Sequence, residues 1–443
     1  VSESSKSVGD QKSRREFIRQ STAAAVTTAV AANLGAVPSV HAAGSETLRV
    51  GLIGCGSRGT GAAQNCAAAS DNVKIVAMGD VSKGQLDGSR EALRQSIGDK
   101  FEVADKNCFV GLDAYQGVLL SGVDYVILAT PPGFRPLHLE AAVNAGKNIF
   151  TEKPVAVDGP GTRRVLAAYQ KAVEKRLGIA AGTQRRHQTG YREAMSRVHE
   201  GALGSIVGAR CYWNGSGIWF RPREAGMSDL QYQLHNWYHF LWLCGDHICE
   251  QHVHNLDVVN WAMKDHPARC IGMGGRTPGN SVARPAGDPN EVGHIFDHFA
   301  IEYTYPNGVK MFSQCRHIPG CWNSVSEHFV GTKGTASMDD GARLWSIEGE
   351  TKWRHRGNNN KPYEQEHADL VESILGGDPI NELKNVAESS LTAIMGRMSA
   401  YSGKEVTWEQ ALNSKVDTFP ANLSWDSKLP VSATPIPGQS DVV

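Results

Sequence analysis

The run Gly245–Trp261, GDHICEQHVHNLDVVNW, holds three histidines, a cysteine and three acids. Two chemistries fit such a set. Thiolate and imidazole bind zinc, and imidazole flanked by carboxylates moves protons at neutral pH. With Cys244 just upstream, Cys244, His247, Cys249, His252 and His254 could supply ligands. Their spacing matches no familiar zinc signature.

The elements that must position these residues follow from the pattern. From His254 the sequence reads as a helix, with His254, Asp257, Val258 and Trp261 recurring on one face. Asp257 can then orient the imidazole or cap the helix. Residues 247–252 read as strand or loop.

The first half of the chain has its own chemistry. An apolar strand, Leu48–Ile53, runs into Gly54, Gly56 and Gly59, a GxGxxG turn. The first glycine permits the turn, the second admits a pyrophosphate and the third lets helix pack on strand. The following helix, 59–69, points its N–H groups at the phosphates, with Ser57 and Arg58 in the turn. A second strand, Val73–Asp80, ends in an acid at about the ~20-residue spacing of a ribose-binding carboxylate. Asp80 therefore favours NAD over NADP. Lys83 close by leaves NADP open. The βα alternation continues through DYVILATPP and KNIFTEKP. Strand ends gather on the ligand side of such a sheet, which places Thr130, Pro131, Glu152, Lys153 and Pro154 at the cofactor.

Composition narrows the class. The 443 residues carry 45 basic and 46 acidic side chains, with no basic block beyond the extreme N-terminus. That argues against nucleic acid as a partner. SRREFIRQ, an Ala-rich stretch over 22–37 and VHAA resemble a twin-arginine export signal over 1–43, too short and weakly apolar for a membrane span. We expect a periplasmic protein. Because that route carries prefolded chains, the nine cysteines should be mostly free, buried thiols.

GLIGCGSRG, ATPP, EKP and the run around His254 resemble the Gfo/Idh/MocA oxidoreductases, a family named for glucose–fructose oxidoreductase and inositol dehydrogenase. The resemblance spans about residues 45 to 415 by order and spacing of motifs. It implies that Lys153 lies beside the nicotinamide. It also implies an acid–histidine–aspartate set, carried here by Glu250, His254 and Asp257. The family commonly has Asp where this chain has Glu250. Hydride transfer needs a base and a cation near the developing alkoxide, not a metal. We therefore expect no metal, His254 as the base, Lys153 as the cation, Glu250 or Asp257 as orienting acid, and His247 and His252 in supporting places. An ordinary core histidine is the bland alternative for His254.

The expected architecture is α/β: a Rossmann domain over 46–175, an α+β substrate and oligomerisation domain with a large, mainly antiparallel sheet over 176–419, and a tail over 420–443. A homo-oligomer is expected. All ten tryptophans fall after residue 176. Aromatic faces stack on the C–H faces of sugars and cyclitols, so Tyr212 and Trp237, with Arg185, His187, Asn214 and Asn236, are expected to line a substrate pocket. Single tryptophans filling a core is the plainer reading. The expected function is an NAD(P)-dependent oxidoreductase acting on a sugar, cyclitol or glycoside hydroxyl. A glycosidase working by transient oxidation and elimination, and a non-catalytic sugar- or NAD-binding protein, are the alternatives.

Overall fold

A computed structural model describes residues 47–277 and 293–440. The proposed export signal lies outside the described residues. Six parallel strands form the first sheet: β1 Leu48–Ile53, β2 Val73–Asp80, β3 Cys108–Val110, β4 Tyr125–Leu128, β5 Asn148–Thr151 and β6 Ile179–Ala181. Their order is β3-β2-β1-β4-β5-β6, the doubly wound arrangement whose chain reversal between β1 and β4 opens a ligand crevice. Helices cover both faces, so β4 is buried at every residue.

The second sheet has nine strands: β7 Ile206–Gly215, β8 Arg269–Gly275, β9 His298–Thr304, β10 Lys310–His317, β11 Ser324–Gly331, β12 Gly334–Asp339, β13 Leu344–Gly349, β14 Trp353–Arg354 and β15 Val406–Thr407. Only the β7–β10 pairing is parallel among those described. One face packs on helices. The other exposes Ile271, Met273 and Phe312, the last at 55 %.

Two C-terminal helices pack across the expected division at residues 175/176. Helix 362–375 inserts Leu370, Val371 and Ile374 into the core beneath β1. Helix 383–402 places Leu383, Val386 and Ala387 in the core of the first sheet and Leu391, Ile394, Met395 and Tyr401 in that of the second. One rigid element shared by both cores couples them, which a cut in the sequence does not convey. The tail wraps: Phe419, Leu423, Leu429 and Val431 pack on a cluster with Phe134, Leu230 and Trp242. Seven of the nine cysteines are buried.

Candidate active site

Helix α1, Ser57–Ala69, follows the glycine turn. Gly54 has a φ of +97°, and a Cβ there would meet the Ala129 backbone at 2.7 Å. A Cβ on Gly59 would lie 1.8 Å from the Gly54 carbonyl oxygen, so helix and loop touch only because both are glycine. A Cβ on Gly56 would meet nothing within 4 Å, because that position opens on a cavity. No side chain caps the helix N-terminus. This is a cradle fitted to a pyrophosphate. Ser57, Arg58, Thr130, Pro131 and Glu152 line the same cavity.

Asp80 anchors the turn. Its carboxylate accepts from the Cys55 amide at 2.6 Å and from the Ser82 amide at 2.7 Å. Burial raises its pKa, and these backbone bonds oppose the rise. Lys83 also lines the cavity, but its ammonium pairs with Asp87 at 2.5 Å. Arg135, which the sequence did not single out, is buried and donates to the carbonyls of Thr130 and Glu152. It thereby ties the loops after β4 and β5 together. Arg58 reaches Glu152 at 3.0 Å, with its guanidinium over the Tyr363 ring at 5.1 Å.

The reactive groups come from three elements. Lys153 follows β5. Glu250 ends the short helix α2, His247–Glu250, and His254 begins α3, Val253–Met263. The stretch expected as strand or loop is thus largely a helical turn. Asp246, at φ +78°, sets it by accepting from the His247 and Phe296 amides and the Tyr401 hydroxyl. Lys153 Nζ lies 3.2 Å from Glu250 Oε1 and also donates to the Glu250 carbonyl. Burial raises the Glu250 pKa, and the Lys153 cation opposes it. The His254 ring stacks on Trp213, with centroids 5.6 Å apart, and its Nδ1 has no partner. Burial and then the Lys153 cation hold its pKa well below 6.5, so the imidazole is neutral and able to accept a proton. Lys153, Glu250, His254 and Trp213 share one cavity of 1280 Å³ with the glycine turn.

Other sequence expectations meet different surroundings. Asp257 does not orient His254. Both its oxygens hold Arg186, at 2.8 and 2.9 Å, and one also accepts from Ser389 at 2.7 Å. Arg185 is buried against Glu327 at 2.5 Å, away from the cavity lining. His187 is buried between Asp369 and Glu382, and these carboxylates overcome its desolvation to raise its pKa to about 9. Tyr212 and Asn214 alternate with Trp213 on β7. Since Trp213 turns toward His254, strand geometry turns its neighbours to the opposite face, and neither lines the cavity. Asn236 is spent on the backbone of Arg221. Trp237 does line the cavity.

The possible ligands diverge. His247 bonds Tyr238 at 2.8 Å, His252 bonds Ser313 at 2.7 Å, and Cys249 lies against Arg397. Among the described residues no group of three or more His, Cys, Asp or Glu could hold a metal, and no helix is long and apolar enough to cross a membrane. Tyr238, Tyr363 and Trp425 line the cavity without any sequence signal at this resolution of pattern. The last two come from the C-terminal part, which only the packing of its helix and tail brings back to the cavity.

Comparison with known proteins agrees with this fold. Residues 48–179 match the Gfo/Idh/MocA model, an oxidoreductase family with an NAD-binding Rossmann fold. An inositol 2-dehydrogenase of Azotobacter vinelandii is 26% identical over 223 residues, 50% of this chain and 55% of that protein. The chain thus spans about half the length of that curated relative. The aldose-aldose oxidoreductase of Caulobacter crescentus, a complex with glycerol, superposes with a TM-score of 0.64 at 16% identity, covering 82% of this chain and 99% of the other. The scyllo-inositol dehydrogenase of Lactobacillus casei with NAD(H) and scyllo-inositol gives 0.62 at 18%, with the same coverages. These two likenesses establish the shared fold.

Proposed function

We propose that the chain, whose residues 48–179 match the Gfo/Idh/MocA oxidoreductase family with its NAD-binding Rossmann fold, oxidises a secondary hydroxyl of a carbohydrate or cyclitol. The observation that carries this reading is the convergence of Lys153, Glu250 and neutral His254 in one cavity with the glycine turn. Gly54, Gly56, Gly59 and Asp80 would hold the dinucleotide. When bound, it supplies the acceptor for the hydride leaving the alcohol carbon. His254 takes the hydroxyl proton. Lys153 offsets negative charge developing on the oxygen. Glu250 fixes the ammonium in place. Alcohol and oxidised cofactor become ketone, reduced cofactor and one proton, and the reverse reaction uses the same groups.

Asp80 supports NAD as the preferred cofactor, since a second negative charge on the ribose would meet its carboxylate. The test is direct: purified protein, NAD and a panel of single-ring sugars and cyclitols, followed by NADH absorbance. Reduction with at least one of them is expected. No reduction by any, with NAD demonstrably bound, overturns the reading.

Two further proposals concern where and how the enzyme works. Arg14–Arg15 and the Ala-rich stretch after them support twin-arginine export to the periplasm. Replacing both arginines with lysine should retain the protein in the cytoplasm, and unchanged fractionation would refute this. The apolar open face of the second sheet, with Ile271, Met273, Phe312 and Val330 exposed, supports a homo-oligomer. Light scattering on the purified protein decides it.

A further inference from the structure

Lys153 is held at both ends. Glu250 holds its ammonium, and Arg135 holds the peptide that leads into it. The β4–β5 pairing runs out at Leu128 and Thr151, where the Glu152 N–H donates to the Leu128 carbonyl at 2.9 Å. Past that point Arg135 takes over. One terminal nitrogen of its guanidinium donates to the Glu152 carbonyl and the other to the Thr130 carbonyl. The Glu152 carbonyl belongs to the peptide bond that joins Glu152 to Lys153. Thr130, Lys153 and Arg135 all line the cavity.

A guanidinium in this place is costly. Arg135 is 1 % exposed, and burial lowers its pKa to about 10, with Glu152 and then Glu250 opposing the fall. It stays a cation at neutral pH, and a buried cation is unfavourable unless its charge and donors are satisfied. Yet its hydrogen bonds go to main-chain carbonyls rather than to a carboxylate, and its Nε has no partner. What the guanidinium supplies is a rigid planar fork, which holds two acceptors at a fixed spacing where an ammonium is a single point.

The base of the fork is fixed as well. A Cβ on Gly133 would lie 2.0 Å from the Trp242 carbonyl oxygen, so the loop before Arg135 lies directly on the α+β half. Phe134 meets Trp242 edge-on at 5.7 Å and Phe419 at 5.4 Å. In the same helix, Arg135–Asn144, His138 Nδ1 bonds the Thr130 hydroxyl at 3.1 Å. Thr130 is thus gripped by its carbonyl and its hydroxyl.

We propose that Arg135 is a positioning residue: by bridging the Thr130 and Glu152 carbonyls it sets where the Lys153 ammonium stands in the cavity. This rests on the oxidoreductase reading above and adds a residue to its machinery. Misplacing a reacting group by ~1 Å can cost ~100-fold in rate.

Arg135→Lys keeps the charge and loses the fork, and Arg135→Ala loses both. On the full chain with NAD and a sugar or cyclitol that the parent oxidises, kcat should fall ~10-fold in the first and ~100-fold in the second. KM for the sugar should stay within about threefold. Millimolar guanidinium chloride, far below denaturing concentrations, should restore part of the Arg135→Ala loss, and sodium chloride at the same concentration should not. A merely structural arginine would lower the melting temperature without that split or that rescue. Both variants turning over within about twofold of the parent overturn the proposal. A crystal structure of Arg135→Lys tests it without turnover. The Glu152–Lys153 peptide should be turned, and Lys153 Nζ should lie farther from Glu250 Oε1 than the present 3.2 Å. An unmoved Lys153 overturns the proposal even if kcat falls. A displaced Lys153 in a chain that oxidises no sugar supports the positioning and refutes the reaction alone.

Discussion

Lys153 Nζ and Glu250 Oε1 lie 3.2 Å apart, and both side chains are about nine-tenths buried. A loop of the first sheet and a turn of the α+β half thus meet through one ion pair beside the reacting centre. Breaking such a pair leaves an uncompensated buried charge. Glu250→Gln should lower kcat by ~10-fold, less than the ~100-fold or more typical of groups that themselves transfer the proton, while NAD binding by fluorescence stays the same. Glu250→Asp keeps the charge and should recover part of the loss. Glu250→Gln turning over within about twofold of the parent would remove Glu250 from the machinery.

His254 should act as a neutral base. Its pKa is held well below 6.5 by burial and the Lys153 cation, so the acid limb of kcat/KM should lie below the ordinary histidine value, with a plateau above it. His254→Ala should cost ~100-fold or more in turnover and abolish that limb. A limb that persists in His254→Ala assigns it to another group.

Glu327 accepts from Arg185, Tyr191 and Asn255 in the core, and burial, partly offset by Arg185, puts its pKa at about 7. Glu327→Ala strands a buried guanidinium, which should cost ~3–5 kcal/mol of stability. Asp257→Asn should likewise act on stability through Arg186 and leave the kinetic pH profile in place. Denaturant melts with parallel pH profiles check both, and a displaced acid limb in Asp257→Asn would return Asp257 to the proton path.

Stability should fall on both sides of neutrality. Burial lowers His138 and His252 to about 3 and His239, His294 and His317 to about 4. These are neutral in the fold and protonated in the unfolded chain below ~6.5, so acid favours unfolding from there downward. His187 runs the other way. Its pKa is raised to about 9, so its contribution is complete below ~6.5 and is lost as pH rises through about 9. Denaturation midpoints across this range should peak near neutrality. His187→Gln should flatten the alkaline side, and an unchanged slope there would contradict the assignment.

Local constraints were legible in the order of residues. The glycine turn announces itself because Gly54 and Gly59 occupy positions where any Cβ would collide with backbone. Apolar runs ending in Asp80 and Glu152–Lys153 mark parallel strand ends, and strand ends fall on one side of such a sheet whatever surrounds them. His254 could be placed on a helix by its period, and Lys153 by its motif. Partners across the fold were not legible. Asp257 shares a helix with His254, yet it was claimed by Arg186 and Ser389, because a buried carboxylate goes to the nearest cation rather than to its sequence neighbour. Tyr212 and Asn214 lost the pocket to Trp213 through a register that only strand pairing sets. Tyr363 and Trp425 joined the site because helix 362–375 docks on α1 and the tail folds back over the 230–242 segment. Those contacts are long-range, and no local pattern encodes them.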